Sequence, residues 1–175
     1  MTPVEFRILT VDDVGAYSQV RLEALERDPT AFGSSVEDHR KLSEMDIRSR
    51  LTADPANNFV IGVYAGERLA GTAGFVRETP VKMRHKGRIW GVYLTAELRG
   101  QGIGRRMLQL VVERAAKIEG LEQIVLHVTT TQTAAIATYR SLGFNSFGVE
   151  PQALKIGDRY IDEEYMVLHL RDLSG

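Results

Sequence analysis

Apolar and polar positions alternate with two different periods along this chain, and the changes of period mark its elements. Over residues 4–9, Val4, Phe6 and Ile8 alternate with Glu5 and Arg7, which predicts a short strand. Val14, Tyr17, Val20, Leu22 and Leu25 then recur at helical spacing to about Arg27, behind a start at Thr10 with Asp12 and Asp13 in the first turn. Asp28-Pro29 ends that helix, because the residue before a proline avoids the helical region. Ala31-Phe32-Gly33 predicts a turn, and Ser34 or Ser35 can cap a second helix to about Leu42. Ser43 with Asp46 three residues on has the form of a capping box and opens a short helix to Leu51. Residues 54–58 read as a loop.

From Phe59 the period returns to two. Residues 59–64 and 69–77 flank a turn at 65–68 and predict an antiparallel hairpin. A polar loop over 79–86, basic at Lys82, Arg84, His85 and Lys86, leads into a strand over 88–94. A helix follows over 103–119, with Met107, Leu108, Val111, Val112 and Ala115 on its apolar face and Gly120 as its stop. Residues 124–128 form an apolar strand, 133–142 a helix stopped by Gly143, and 147–154 with 160–170 a last hairpin. The predicted order is β-αα-βββ-α-β-α-ββ, an α/β single domain over 1–175 with a mixed sheet. Strand 88–94, helix 103–119 and strand 124–128 form a βαβ unit, so those strands run parallel with a right-handed crossover. The other neighbouring strands are expected to be hairpins.

Composition narrows the function. A chain of 175 residues, 43% hydrophobic and 26% charged, buries a core large enough to need no covalent staples. Its 22 basic and 23 acidic residues leave a net charge of −1, which gives no electrostatic reason to expect nucleic acid or an anionic membrane. The absence of cysteine removes disulfides, thiolate-bound metals and a thiol nucleophile together. No His/Asp/Glu set has metal spacing. No run approaches the roughly 20 apolar residues of a membrane span, and Met1 to Arg7 lacks a signal region. The expectation is a soluble cytoplasmic protein.

The chemistry centres on the turn between strand 88–94 and helix 103–119. It reads Arg99-Gly100-Gln101-Gly102-Ile103-Gly104, with Arg105 and Arg106 in the helix's first turn. Glycines allow positive φ and close approach of a ligand to the backbone. The helix start adds free N–H groups and the positive end of its dipole, which together cradle a phosphate. Two arginines at that end oppose the dipole unless an anion lies between them. The dinucleotide pattern G-x-G-x-x-G fails in both registers, with Arg105 or Met107 at the third glycine, and no GK[ST] follows. What remains, Arg-Gly-x-Gly-x-Gly preceded by Val92-Tyr93-Leu94, resembles the pyrophosphate-binding signature of the GNAT superfamily of acetyl-CoA-dependent N-acetyltransferases. A second stretch, Ala135 to Phe144, is similar to that family's A-x-x-x-Y-x-x-x-G-F hallmark, with Tyr139 as its tyrosine.

The resemblance covers nearly the whole chain and implies direct acetyl transfer from acetyl-CoA, with no metal, to a primary amine. A small amine or amino-acid derivative ranks ahead of a protein amine as acceptor. It implies Tyr139 as the acid that protonates the leaving thiolate. It implies Val92, Tyr93 and Leu94 beside the pantetheine arm, where the parallel strands splay, with the N–H of Tyr93 or Leu94 polarising the carbonyl. Arg99, Gly100, Gln101, Gly102, Ile103, Gly104 and Arg105 then hold the pyrophosphate. Gln132, where many relatives carry Asn, keeps an amide that can bond the coenzyme; Thr129 replaces a second Asn.

The stretch 88–91 lacks the glutamate many relatives use as base. That role stays open among Glu78, His85, His127 and a bound water. His127 alternates with Leu126 and Val128, so it faces the other side of the sheet and reads first as a structural histidine. Trp90 reads as core or acceptor site. Asp162-Glu163-Glu164 either attracts an amine or edges the last hairpin, and the basic loop reads as solvated. The first two helices and the last hairpin usually bound the acceptor pocket in this fold. A rival function is a non-catalytic acyl-CoA-binding or sensing module: the missing glutamate favours it and Tyr139 opposes it. A homodimer is compatible with the sheet edge or the last hairpin.

Overall fold

The fold is taken from a computed structural model that describes residues 3–52, 54 and 57–173. Its strands are β1 (Glu5–Ile8), β2 (Asn58–Ala65), β3 (Arg68–Arg77), β4 (Lys86–Leu94), β5 (Gln123–Thr129), β6 (Asn145–Ile156) and β7 (Arg159–His169). Its helices are α1 (Val14–Arg27), α2 (Val36–Arg40), α3 (Glu44–Thr52), α4 (Ile103–Ala115) and α5 (Thr133–Ser141). The strands make one sheet in the order β1-β2-β3-β4-β5-β7-β6. Among the described residues β4 and β5 pair in parallel and the other neighbours are antiparallel.

The entry to the fold is set by side-chain caps. Asp13 bonds the Thr10 backbone N–H at 2.8 Å, and Arg7 donates to Asp13 at 2.6 and 2.9 Å. Tyr64 on β2 adds a third donor to the same carboxylate at 2.7 Å, locking β1, the start of α1 and β2 together. Ser35 with Asp38 and Ser43 with Asp46 each form a reciprocal capping box. Two caps eight residues apart divide that stretch into two helices, so three helices separate β1 from β2 and the predicted order needs one more α.

Three other expectations need correction. Asn58 belongs to β2 rather than to the 54–58 loop, and Pro55 and Ala56 of that loop lie outside the described residues. Helix α4 ends at Ala115, not Glu119. Between Ala115 and Gly120 the residue packed on the core is Ile118, and bonds of the i to i+3 kind from Lys117 and Ile118 tighten the chain into turns. Gly120, at φ +73°, then delivers Leu121 into the core. Finally, two of the other neighbours are antiparallel but not hairpins: β1 pairs with β2 across three helices, and β5 is bordered by β7 across α5 and β6. Met166 and Leu168 of β7 are buried, whereas β6 exposes Phe147 and Val149, so the more apolar strand takes the inner position.

Two apolar clusters cover the two faces of the sheet. One gathers Phe59, Ile61, Val63, Phe75 and Ile89 beneath α4 and α5, including Met107, Val111, Tyr139 and Phe144. The other gathers Val60, Tyr64, Leu69 and Tyr93 against α1 and α3, with Trp90 at its margin.

Candidate active site

The site arises from an interruption in β4. Thr72 and Gly74 of β3 face Tyr93 and Trp90 of β4, so two β4 residues, Gly91 and Val92, stand opposite Ala73 alone. Gly91 takes φ +61°, which a glycine adopts without strain, and the Thr72 hydroxyl donates to its carbonyl at 3.1 Å. The bulge bends the strand and resets its alternation. Trp90 and Tyr93 therefore lie toward α1 and α3, while Ile89, Val92 and Leu94 lie toward α4. Pairing with β5 stops at Arg88↔Val125, and the strands part beyond it.

The parting opens a cleft of about 640 Å³ that reaches both faces of the sheet. From the α4–α5 face it is lined by Ala135 and Tyr139; from the α1–α3 face come Arg21, Phe32, Arg50 and His127. Val92, Gln132 and Glu163 also line it. Tyr139 is 5% exposed, and its hydroxyl makes no hydrogen bond among the described residues. Burial raises its pKa above that of an ordinary tyrosine, so the hydroxyl keeps its proton through the physiological range.

Of the candidate bases, His127 lines the cleft, while Glu78 and His85 do not. His127 Nδ1 lies 3.2 Å from Glu163 Oε2, and its ring stacks on Tyr165 with centroids 5.4 Å apart. The pair orients Nε2 away from the carboxylate. Its buried carboxylate partner on β7 was not legible in sequence, because Glu163 meets β5 only through the strand order β5-β7-β6. Trp90 also borders the cleft.

The glycine-rich turn lies outside this cleft, at the far end of β4. Gly100 and Gly102 take φ +74° and +78°, and nothing stands within 4 Å of where their Cβ atoms would be. Gly102 is the N-cap of α4, and no side chain caps it. A helix start leaves its first-turn N–H groups without intrahelical partners, and with no side-chain cap and open space beside Gly100 and Gly102 a phosphate has room to approach them. Gly104 has an ordinary φ and room for a Cβ 3.7 Å from Leu94, so its glycine is not demanded by the backbone. Ile103 is buried in the core, and the Gln101 amide donates to the Glu97 carbonyl.

Several side chains expected at the coenzyme have partners within the protein. Arg99 donates to the Leu94 carbonyl at 2.8 Å and pairs with Asp28, tying the turn to the end of α1. Arg105 reaches Ser141 on α5 at 3.3 Å. The Tyr93 hydroxyl donates to Glu23 at 3.1 Å on the α1 face; burial and that carboxylate push its pKa up to about 12. Tyr93 thus offers a ligand its backbone, not its side chain. Leu94 does not line the cleft; it packs against the α4-side core.

An open α/β sheet with parted parallel strands and an uncapped, glycine-led helix beside them defines a coenzyme-binding transferase fold. The profile of the Acetyltransferase (GNAT) family matches residues 21–144. The chain belongs to the GNAT acetyltransferase family. A GNAT acetyltransferase from Streptococcus pneumoniae has the same fold, with a TM-score of 0.83 at 18% identity over 95% of this chain and 99% of that one. The yncA protein of Salmonella typhimurium, solved with acetyl-CoA, gives 0.80 at 21% identity over 96% and 94%. An L-methionine sulfoximine/L-methionine sulfone acetyltransferase from Pseudomonas aeruginosa is 35% identical over 79 residues, 45% of each chain. The matched stretch thus spans about half the length of that curated relative. The N-alpha-acetyltransferase RimI of Mycobacterium tuberculosis is 32% identical over 110 residues, 62% of this chain and 65% of that one.

Proposed function

We propose that this chain, as one domain over 1–175, transfers the acetyl group of acetyl-CoA directly to a primary amine. The observation that carries the reading is the cleft through the sheet, with a protonated Tyr139 on one face and His127 on the other. The attacking amine must lose a proton and the departing thiolate must gain one, and this cleft offers a proton acceptor on one side and a donor on the other.

The coenzyme fits the residues present. The N–H groups at Gly102 to Arg105 hold the pyrophosphate, Gly100 and Gln101 shape the approach, and Arg99 braces the turn. The edge of β4 from Val92 to Leu94 that β5 leaves unpaired takes the pantetheine arm, and Gln132, the N-cap of α5, lines the same cleft as Val92. Bound there, the thioester supplies the acetyl group. A backbone N–H of Tyr93 or Leu94 polarises its carbonyl. His127 Nε2, oriented through Nδ1 by Glu163, takes the acceptor's proton as the nitrogen–carbon bond forms. Tyr139 gives its proton to sulfur as the carbon–sulfur bond breaks, and it is reprotonated from solvent.

The acceptor class is a small amine or amino-acid derivative, in keeping with the amino-acid analogues in the name of the Pseudomonas relative. A non-catalytic sensing module gains nothing from a buried, protonated hydroxyl with no partner among the described residues. Among the described residues no helix is long and apolar enough to cross a membrane, and the working assignment is cytoplasmic. A homodimer through β6 would cover Phe147 and Val149, which are 60% and 55% exposed.

Calorimetric titration with acetyl-CoA, followed by thiol release against an amine panel, tests the reading. Binding with amine-dependent release is expected. Binding without release on any amine favours the sensing module, and no binding overturns the assignment.

A further inference from the structure

Arg21 sits where an arginine is out of place. It lies on the inward stripe of α1, between Tyr17, Val20 and Ala24, all at most 3% exposed. Its guanidinium stacks on Phe32, 4.4 Å from the ring centroid, and lines the cleft. Stacking uses the face of the group and leaves its in-plane N–H donors to be satisfied. Nη1 is shut off from solvent and has no hydrogen-bond partner among the described residues. No carboxylate within the described residues pairs with it. Burial lowers the guanidinium's pKa below its ordinary value, with a smaller contribution from nearby Arg50.

The surroundings add positive charge and little negative. Arg50 of α3 and Arg88 of β4 line the same cleft, and neither has an ion pair among the described residues. Elsewhere in the molecule arginines are routinely paired, as Arg7 is with Asp13, Arg68 with Glu23 and Glu97, and Arg99 with Asp28. The carboxylate that lines the cleft, Glu163, is engaged by His127. His39, which faces Arg21 from α2, is bonded to Ser18; burial and the two arginines depress its pKa and favour its neutral form. A desolvated cation without a counter-ion is costly in a folded protein, by an amount that a bound anion offsets.

We propose that the acceptor is a zwitterion, an amine that carries its own carboxylate, held with that carboxylate on Arg21 and Arg50 and its amine toward His127 and Tyr139. The inference rests on the acetyltransferase reading and deepens it, since it names the substrate class. The cleft is polarised in the required sense. Its cationic wall comes from α1 and α3 on the acceptor face; the His127–Glu163 pair borders that same face from β5 and β7, and Tyr139 stands across the parted strands. An α-amino acid has the matching dipole. A polyamine or a lysine side chain within a basic segment would place positive charge against three guanidinium groups.

The test compares acetyl-CoA thiol release with free α-amino acids and with their decarboxylated amines, each pair sharing one side chain. Wild type should prefer the amino acids by about 100-fold in kcat/KM. In R21Q and R50Q that preference ratio should collapse toward unity for the first and fall about 10-fold for the second, chiefly through KM, as expected when charged hydrogen bonds to substrate are lost. R21K, which keeps the charge but not the planar fork, should retain an intermediate ratio. Calorimetric affinity for acetyl-CoA within twofold of wild type controls for misfolding. As a readout independent of turnover, amino acid titrated into the complex with coenzyme A should bind wild type and fail to bind R21Q. Equal or faster acetylation of the decarboxylated amines overturns this inference and leaves the acetyltransferase reading standing. Acetyl-CoA that neither binds nor is turned over by any amine overturns both.

Discussion

Trp90 lies flat on Gly74, its partner across β3 and β4: a Cβ on that glycine would fall 2.4 Å from Cε2 and 2.7 Å from Cζ2 of the indole. Such a contact is not tolerated, and Trp90 borders the cleft. The substitution Gly74→Ala should therefore displace Trp90 toward the acceptor. It should cost about 1–3 kcal/mol, the usual range for overpacking, read as a lower Tm, and raise KM for the amine more than the Kd for acetyl-CoA. Unchanged Tm and kinetics would mean that the indole has space to retreat.

Tyr139→Phe removes the proposed acid and one oxygen atom from a buried site. Because the hydroxyl has no partner among the described residues, stability should be little affected. Turnover should fall by about 10²–10³, within the range for general-acid catalysis, with acetyl-CoA affinity unchanged. Burial raises this hydroxyl's pKa, so any alkaline decline of kcat in wild type that belongs to Tyr139 should come above the ordinary tyrosine range, near pH 10. Full turnover by the Phe variant at neutral pH would remove Tyr139 from the mechanism.

Gly102 holds φ +78° in open space, so a larger side chain meets conformational strain and not a clash. Gly102→Ala should cost about 1–2 kcal/mol of stability, the usual penalty of a left-handed non-glycine residue, and weaken coenzyme A binding modestly. Gly102→Glu adds negative charge where the phosphates are expected and should abolish calorimetric binding of acetyl-CoA. Retained affinity in that variant would mean that the pyrophosphate lies elsewhere.

His127 and Glu163 form a pair whose role separates in two variants. His127→Asn should lower kcat/KM about 10²-fold, and Glu163→Gln about 10-fold, since an amide can still accept from Nδ1 but does not stabilise the imidazolium. If the bulge backbone or a bound water is the base instead, both variants will retain near wild-type rates across the pH range.

The Arg7–Asp13–Tyr64 cluster sets an acid limit on the fold. Arg7 and the Thr10 N–H hold the Asp13 carboxyl well below the usual carboxylate range, against the opposing effect of burial. The unfolded chain then takes up a proton at this site before the folded chain does. The resulting stability is fully present above about pH 4 and declines as pH falls below the ordinary Asp value. Asp13→Asn should lower stability at pH 7 and flatten the acid limb of denaturant-measured stability. An unchanged acid limb would place the acid sensitivity in other carboxylates.

The elements themselves were legible to within a few residues, because each rests on local physics. The capping residues Thr10, Ser35 and Ser43 with their aspartates do in the structure what their spacing implies. The parallel pairing of β4 and β5 follows from a helix between two apolar strands. The far limit of α4 was overshot because Lys117 and Glu119 are good helix formers, and the turn that ends the helix is driven by burial of Leu121. His127 shows the other kind of gap. Alternation placed it correctly on the face away from Leu126 and Val128, yet what that face contains, Glu163 and Arg21, comes from segments over a hundred residues apart.

The sequence by itself determined the α/β order, the glycines that open the cradle and the family, since these are properties of neighbouring residues. Only the tertiary structure decided that a bulge at Gly91 turns Tyr93 away from the cleft, that β7 enters between β5 and β6, and that Arg21 stands half-buried with no counter-ion among the described residues. Each of these depends on which distant strand or helix packs opposite. That choice follows from the free energy of burying the whole sheet, and no local period along the chain records it.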